Sequence, residues 1–144
     1  MKQQIRLGVF ETNSSSVHSI TMVEKSNYEK WKNGEILYCE YNSKGKKEFL
    51  PSDEAIEKNL SLFDKEDLTE DFIKKYKETK NLYKSLDESD SDIDYYDLDL
   101  SELYLNYEEY EEMVAERYCY EEFEEEYKTK SGETIVAFGY YGHD

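Results

Sequence analysis

Glycine, proline, histidine and cysteine are all sparse, with six, one, two and two residues among 144, and Lys plus Arg are outnumbered by Asp plus Glu, 18 to 35. Each shortage excludes a class of function. Two histidines, His18 and His143, are a poor stock of general bases, and the run NSSSVHS, with Ser14, Ser15, Ser16 and His18, has closeness in sequence without the geometry a catalytic triad requires. Its serines read as loop residues bonding to backbone, and His18 as a strand residue. Cys39 and Cys119 lie far apart in the Tyr-flanked strings YCEY and YCY. They read as reduced, half-buried thiols and not as a disulfide scaffold. Zinc held by His18, Cys39, Cys119 and His143 would need ligands from four distant places, without the close pairs that mark structural sites. No glycine-rich phosphate loop is present, and no basic patch stands unopposed by acids, which argues against direct nucleic-acid binding. No run approaches the roughly 20 apolar residues of a membrane helix, and MKQQIRLGVF has no signal-peptide core. The expectation is a soluble, cytoplasmic protein with no membrane partner, no cofactor, no metal and no catalytic residues.

What is abundant is tyrosine and negative charge. Aliphatic residues are few beside 15 Tyr, 6 Phe and 1 Trp, so the core is expected to be thin and aromatic, its phenol groups reaching the edge. The net charge of −17 is unevenly spread. Residues 1–86 carry 15 basic and 15 acidic residues, and the whole imbalance lies in 87–144, with 20 acids against Arg117, Lys128 and Lys130. Between Asp87 and Glu126 there are 18 acids and one base. Acidic blocks are often solvated tails, but disordered acidic segments are poor in aromatics. Here an aromatic or aliphatic residue recurs every two to four positions, enough to dock the block on a core. Carboxylates held together on an ordered surface repel one another, and a basic partner relieves that repulsion and is drawn in over long range.

Alternation predicts strands in IRLGVFE (5–11) and VHSITMV (17–23), joined by the polar TNSSS. Ser26 caps a short helix through Trp31 that Gly34 stops; ILYCEY (36–41) turns through NSKG into KKEFL (46–50). Pro51 and Ser52 open a helix over about 53–63, and Thr69 caps another over about 70–86. Asn106 with Glu109 three residues on is a capping box for a helix ending near Tyr118. Its expected inward stripe is Tyr107, Tyr110, Val114 and Tyr118, with Glu108, Glu109, Glu111, Glu112 and Glu116 facing outward. EFEEEYKT and TIVAFGYY flank KSGE, a hairpin signal with Gly132 at the turn. The fold class is α+β, a single domain of small antiparallel sheets with three to four helices. A charge-neutral scaffold (1–86) carries an acidic, Tyr-rich helix and hairpin (87–144) on the same core. Asp90, Asp92 and Asp94 have the first spacings of a calcium loop, but Tyr95 stands where that loop needs Gly and Ser101 where it needs Glu.

The string RLGVFETNSSSVHSI (6–20) resembles the opening of small uncharacterised proteins of phages and low-GC Gram-positive bacteria. In composition the chain is similar to the acidic nucleic-acid mimics by which phages block restriction enzymes, CRISPR effectors or uracil-DNA glycosylase. That resemblance implies a non-enzymatic inhibitor whose residues 87–126 fill the basic groove of a nuclease or CRISPR effector. Asp90, Asp92, Asp94, Tyr95, Tyr96, Asp97, Asp99, Tyr104, Glu108, Glu109, Glu111, Glu112 and Glu116 are its expected contact residues. The alternative is an interaction module, able to pair as a homodimer, whose acidic face keeps it soluble.

Overall fold

The computed structural model describes residues 16–142, and side chains from Ser19 onward. The strand expected over 5–11, the serines at 14 and 15, the His18 side chain and His143 lie outside the described residues. The class is α+β, with two antiparallel sheets and five α-helices among the described residues. The chain groups into two units, one of 16–29 with 111–142 and one of 30–110.

The first unit is a three-stranded sheet in the order β1 (Ser16–Glu24), β5 (Thr134–Gly142), β4 (Glu121–Lys128). The KSGE turn forms as its sequence directs: Thr129 N–H donates to Glu133 O at 2.8 Å, and Gly132 sits at φ +94°. β5 is central, and Val136, Ala137, Phe138 and Tyr140 on it are buried. The register of β1 slips between Val17 and Ser19. There the strands run so close that a Cβ on Gly139 would collide with the Ser19 carbonyl, so only glycine fits. From α1 (Lys25–Lys32), Tyr28 lays its ring 5.5 Å from Phe138. At the far end Tyr120 stacks on Tyr140 at 5.5 Å.

The second unit is built around Trp31, which is fully buried. Its ring lies 5.0–5.7 Å from those of Tyr38, Phe49, Tyr107 and Tyr110, and Nε1 donates to Leu105 O at 3.0 Å. Gly34 ends α1 as expected, at φ +82°, with Gly34 N–H donating to Trp31 O and Glu35 N–H to Lys30 O, the paired bonds of a Schellman stop. β2 (Ile36–Cys39) and β3 (Glu48–Pro51) form the small sheet, each shorter than its sequence pattern, because Asn42 and Gly45 shape a wider turn. α2 (Ser52–Leu60) follows. Thr69 caps α3 (Glu70–Thr79) by accepting from Phe72 N–H at 3.1 Å.

One expected helix is two. The pattern over 70–86 breaks at Lys80, which takes a left-handed conformation at φ +56°, and Asn81 caps a new helix, α4 (Leu82–Glu88), through Lys84 N–H. The expected helix to Tyr118 is also shorter. α5 spans Tyr107–Glu112 and continues as a π turn over Met113–Arg117, ending at Cys119, which adopts φ +56°. Neither cysteine is half-buried as expected: Cys39 is fully buried, and burial pushes its thiol up to about 11, whereas Cys119 is exposed.

The phenols do not all reach the edge. Tyr76 is fully buried, burial raises its hydroxyl pKa, and the group is satisfied internally by Asn59. Asn59, itself fully buried, donates from Nδ2 to Tyr76 Oη at 2.6 Å and to Tyr104 O at 2.8 Å, while its Oδ1 accepts from Tyr104 N–H at 2.8 Å. It thus stands in for the backbone partner that the irregular segment before α5 lacks. Asn59→Ala strands two buried backbone groups of Tyr104 and is expected to cost roughly 2–4 kcal/mol, read as a lowered urea midpoint at unchanged m-value.

Candidate acidic interface

Residues expected to contact a partner fall in both units. In 30–110, the segment after α4 folds into two short 3-10 turns, Tyr95–Asp97 and Leu100–Glu102. Three of its aspartates serve local structure. Asp90 accepts from Thr69 Oγ1 at 2.7 Å, Asp94 from Tyr96 N–H at 3.0 Å, and Asp99 from Ser101 N–H at 3.1 Å and Ser101 Oγ at 2.6 Å. Asp92 and Asp97 are exposed, as is Tyr96 at 64 %. Among the described residues no group of three or more His, Cys, Asp or Glu side chains is placed to hold a metal ion.

Three expected contact residues are corrected. Tyr95 is 4 % exposed, its ring 5.0 Å from that of Tyr83, because the 3-10 turn rotates it inward and leaves Tyr96 outside. Tyr104 is 5 % exposed and its hydroxyl donates to Glu48 in a short bond. That bond, with a second from Asn42, holds the Glu48 carboxyl below the usual carboxylate range. Glu109 is 1 % exposed. Its Oε1 accepts from Asn106 N–H at 2.9 Å, and Asn106 Oδ1 accepts from Glu109 N–H at 2.8 Å, which is the capping box read from the sequence. The second oxygen, Oε2, accepts from Leu82 N–H at 2.7 Å and pulls the carboxylate inside. Glu108 remains exposed.

In the unit of 16–29 and 111–142, Glu111 and Glu116 are exposed and Glu112 is half-buried. The densest carboxylate row lies beyond them, on β4, and was not among the expected contacts. Strand alternation puts the buried Phe123 on one face and the exposed Glu122, Glu124 and Glu126 on the other, with Glu121 exposed at the strand's start. The signal was present in EEFEEEYK, where the even positions carry three glutamates before Lys128. Successive carboxylates on one strand face stand about 6.8 Å apart, near half the charge density of one DNA strand, which carries a phosphate every ~3.4 Å of axis. Two of these glutamates are tied. Tyr28 Oη donates to Glu124 at 2.5 Å, and Lys25 Nζ pairs with Glu126 at 3.2 Å across an exposed surface, where such a pair is worth little. Partial desolvation, then the charges of Glu111 and Glu124, raise the Glu122 carboxyl above its ordinary pKa.

No family model, curated protein or solved structure matches the chain. The arrangement itself therefore carries the functional argument. No helix among the described residues is long and apolar enough to cross a membrane.

Two predictions separate structural from surface carboxylates. Glu109→Ala leaves the amides of Leu82 and Asn106 without partners and is expected to cost roughly 2–4 kcal/mol, whereas Gln at Glu108, Glu111, Glu112 and Glu116 changes stability by no more than about 0.5 kcal/mol per site. Denaturant titration of both variants checks this. The second concerns pH. A carboxyl whose folded pKa is raised binds its proton more readily folded than unfolded, so it opposes folding above that pKa, and the penalty fades as pH falls through it toward the ordinary carboxylate value. Glu122→Gln is thus expected to raise the melting temperature near neutral pH, with the gain shrinking on acidification. An equal gain at both pH values would assign it to packing instead.

Proposed function

We propose that this chain is a non-enzymatic acidic binding protein of the phage-inhibitor kind, acting in the host cytoplasm by occupying the basic nucleic-acid groove of a defence or repair protein such as a nuclease or CRISPR effector. One observation carries the reading: Glu122, on an exposed strand, has its carboxyl raised by partial desolvation and then by the like charges of Glu111 and Glu124, and the sequence puts a single basic residue, Arg117, among the 18 acids of 87–126. Carboxylates kept this close oppose folding, and a lysine- and arginine-lined groove relieves that opposition while steering the two proteins together. The contact set is revised accordingly. Glu111, Glu116, Glu121, Glu122, Glu124 and Glu126 are the phosphate surrogates on one unit; Asp92, Asp97, Tyr96 and Glu108 are the contacts on the other. Tyr96 offers a ring for an arginine plane to stack on.

A second reading, pairing with another copy, is favoured by the opposite face of the sheet, where Met22 is 46 % exposed and accepts from Tyr127 Oη at 3.6 Å.

The test begins with a salt-eluted pull-down from bacterial lysate and proceeds to competition on the recovered partner. Under occlusion, pre-loading the partner with its own nucleic acid blocks binding, raising salt weakens both ligands in parallel, and Gln at Glu111, Glu116, Glu121 and Glu122 slows association and flattens its salt dependence. A ternary complex of partner, nucleic acid and this protein rejects occlusion. Elution as a dimer that Met22→Lys converts to a monomer supports self-pairing.

A further inference from the structure

The unit that contains Trp31 also holds a feature of opposite sign, which stands apart from the occlusion reading. A cavity of about 560 Å³ opens between the end of α1, the junction of α3 and α4, and the start of α5. That volume falls within the range of small-molecule sites. Its lining includes Lys32, Lys80 and Lys84, against Glu108 as the one acid, in a chain whose net charge is −17.

Two of the three ammonium groups are positioned by the fold. Lys80 Nζ donates to Gly34 O at 3.4 Å, and Lys32 Nζ stands 5.3 Å from the centre of the Tyr107 ring. Lys80 is also in a left-handed conformation at a helix end, φ +56°, the place where helices ordinarily put glycine because a Cβ is strained there. Keeping lysine at that position opposes local backbone preference and places a cation in the cavity wall. Asn81 adds an independent pointer. It is 8 % exposed, it lines the cavity, and its Oδ1 is committed to Lys84 N–H at 3.0 Å. Its Nδ2 donor pair has no partner among the described residues. An amide donor without a protein partner, on a residue that lines the cavity together with three lysines, suits an acceptor with several oxygens and negative charge.

We propose that this cavity binds a small phosphate monoester, its phosphate held by Lys80, Lys84, Lys32 and Asn81 Nδ2 and its organic part lying beside Tyr107. A bare phosphate would leave much of the volume unfilled, and the ring of Tyr107, half-buried with a cation over it, offers a surface for a flat or sugar-like group.

Isothermal titration of the full chain with AMP, inorganic phosphate and adenosine tests the assignment. AMP is expected to bind, inorganic phosphate to compete with it, and adenosine to give no heat. Lys80→Gly removes the cation while relaxing the left-handed backbone, so this variant is expected to melt no lower than the wild type and to weaken AMP binding by about tenfold or more. Asn81→Asp keeps the helix cap and sets a carboxylate in place of the amide donor, and is expected to abolish binding. Adenosine binding as tightly as AMP, or undiminished AMP affinity in a folded Lys80→Gly protein, overturns the proposal. So does the absence of any AMP or phosphate binding at millimolar concentration.

Discussion

Glu109 joins two chain segments that are otherwise irregular. With one oxygen it closes the capping box at Asn106 and with the other it takes the first amide of α4, and Asn106 Nδ2 reaches on to Lys80 O at 2.8 Å. A carboxylate buried to 1 % exposure is tolerated only when its oxygens are paired, and charge-assisted bonds to backbone amides do this well. Much follows from that clasp within the unit of 30–110. It fixes the break between α3 and α4, so that Lys80 is left at the turn and not inside a helix. It sets the start of α5 against that break, and so builds two walls of the lysine-lined cavity. One glutamate in a run of surface glutamates is therefore a structural residue, and its neighbours are free to be something else.

The unit containing the three-stranded sheet solves a different problem. Glutamate is a weak strand former, and like charges along one strand face repel. β4 is nonetheless paired in register with β5 over eight residues. The energy comes from the other partners in the ladder: Phe123 buries inward, and the central strand contributes Val136, Phe138 and Tyr140. Tyr28 and Lys25 reach across to bond Glu124 and Glu126, while the Glu122 carboxyl is raised by partial desolvation and by the charges of Glu111 and Glu124. A fold that carries this repulsion on an aromatic core has little stability to spare, since the net stability of a small domain is a few kcal/mol.

Local signals were legible wherever the interaction was local. The strand at 17–23, the Gly34 stop, the Thr69 cap, the KSGE hairpin and the Asn106–Glu109 box all depend on residues within a few positions of one another, and all stand where the sequence put them. What the sequence did not reveal depends on distant partners. The second oxygen of Glu109 is claimed by Leu82, 27 positions away; the capping-box spacing singles Glu109 out from Glu108, but nothing in NYEEYEE says that its side chain is buried. Tyr104 looked like a contact residue among acids, but Glu48, 56 positions earlier, takes its hydroxyl. The break at Lys80 had a faint signal in Asn81, a good cap, which the apolar periodicity of 70–86 outweighed.

The two charged features impose opposite selection on ligands. A polyanion approaching the lysine-lined cavity meets a protein whose net charge is −17, and within a Debye length of about 8 Å at physiological salt each of its further charges is repelled by surface carboxylates. Glu108 stands at the cavity rim itself. A single phosphate monoester, by contrast, places both its charges against Lys80, Lys84 and Lys32, at a range where direct hydrogen bonds dominate the surrounding field. Under the proposal, the cavity discriminates by size as well as sign, favouring a small dianion over a nucleic-acid strand. Under the two proposals, the field that disfavours a nucleic-acid strand draws in a basic protein, and the two ligands meet largely separate groups, Glu108 being the residue common to both.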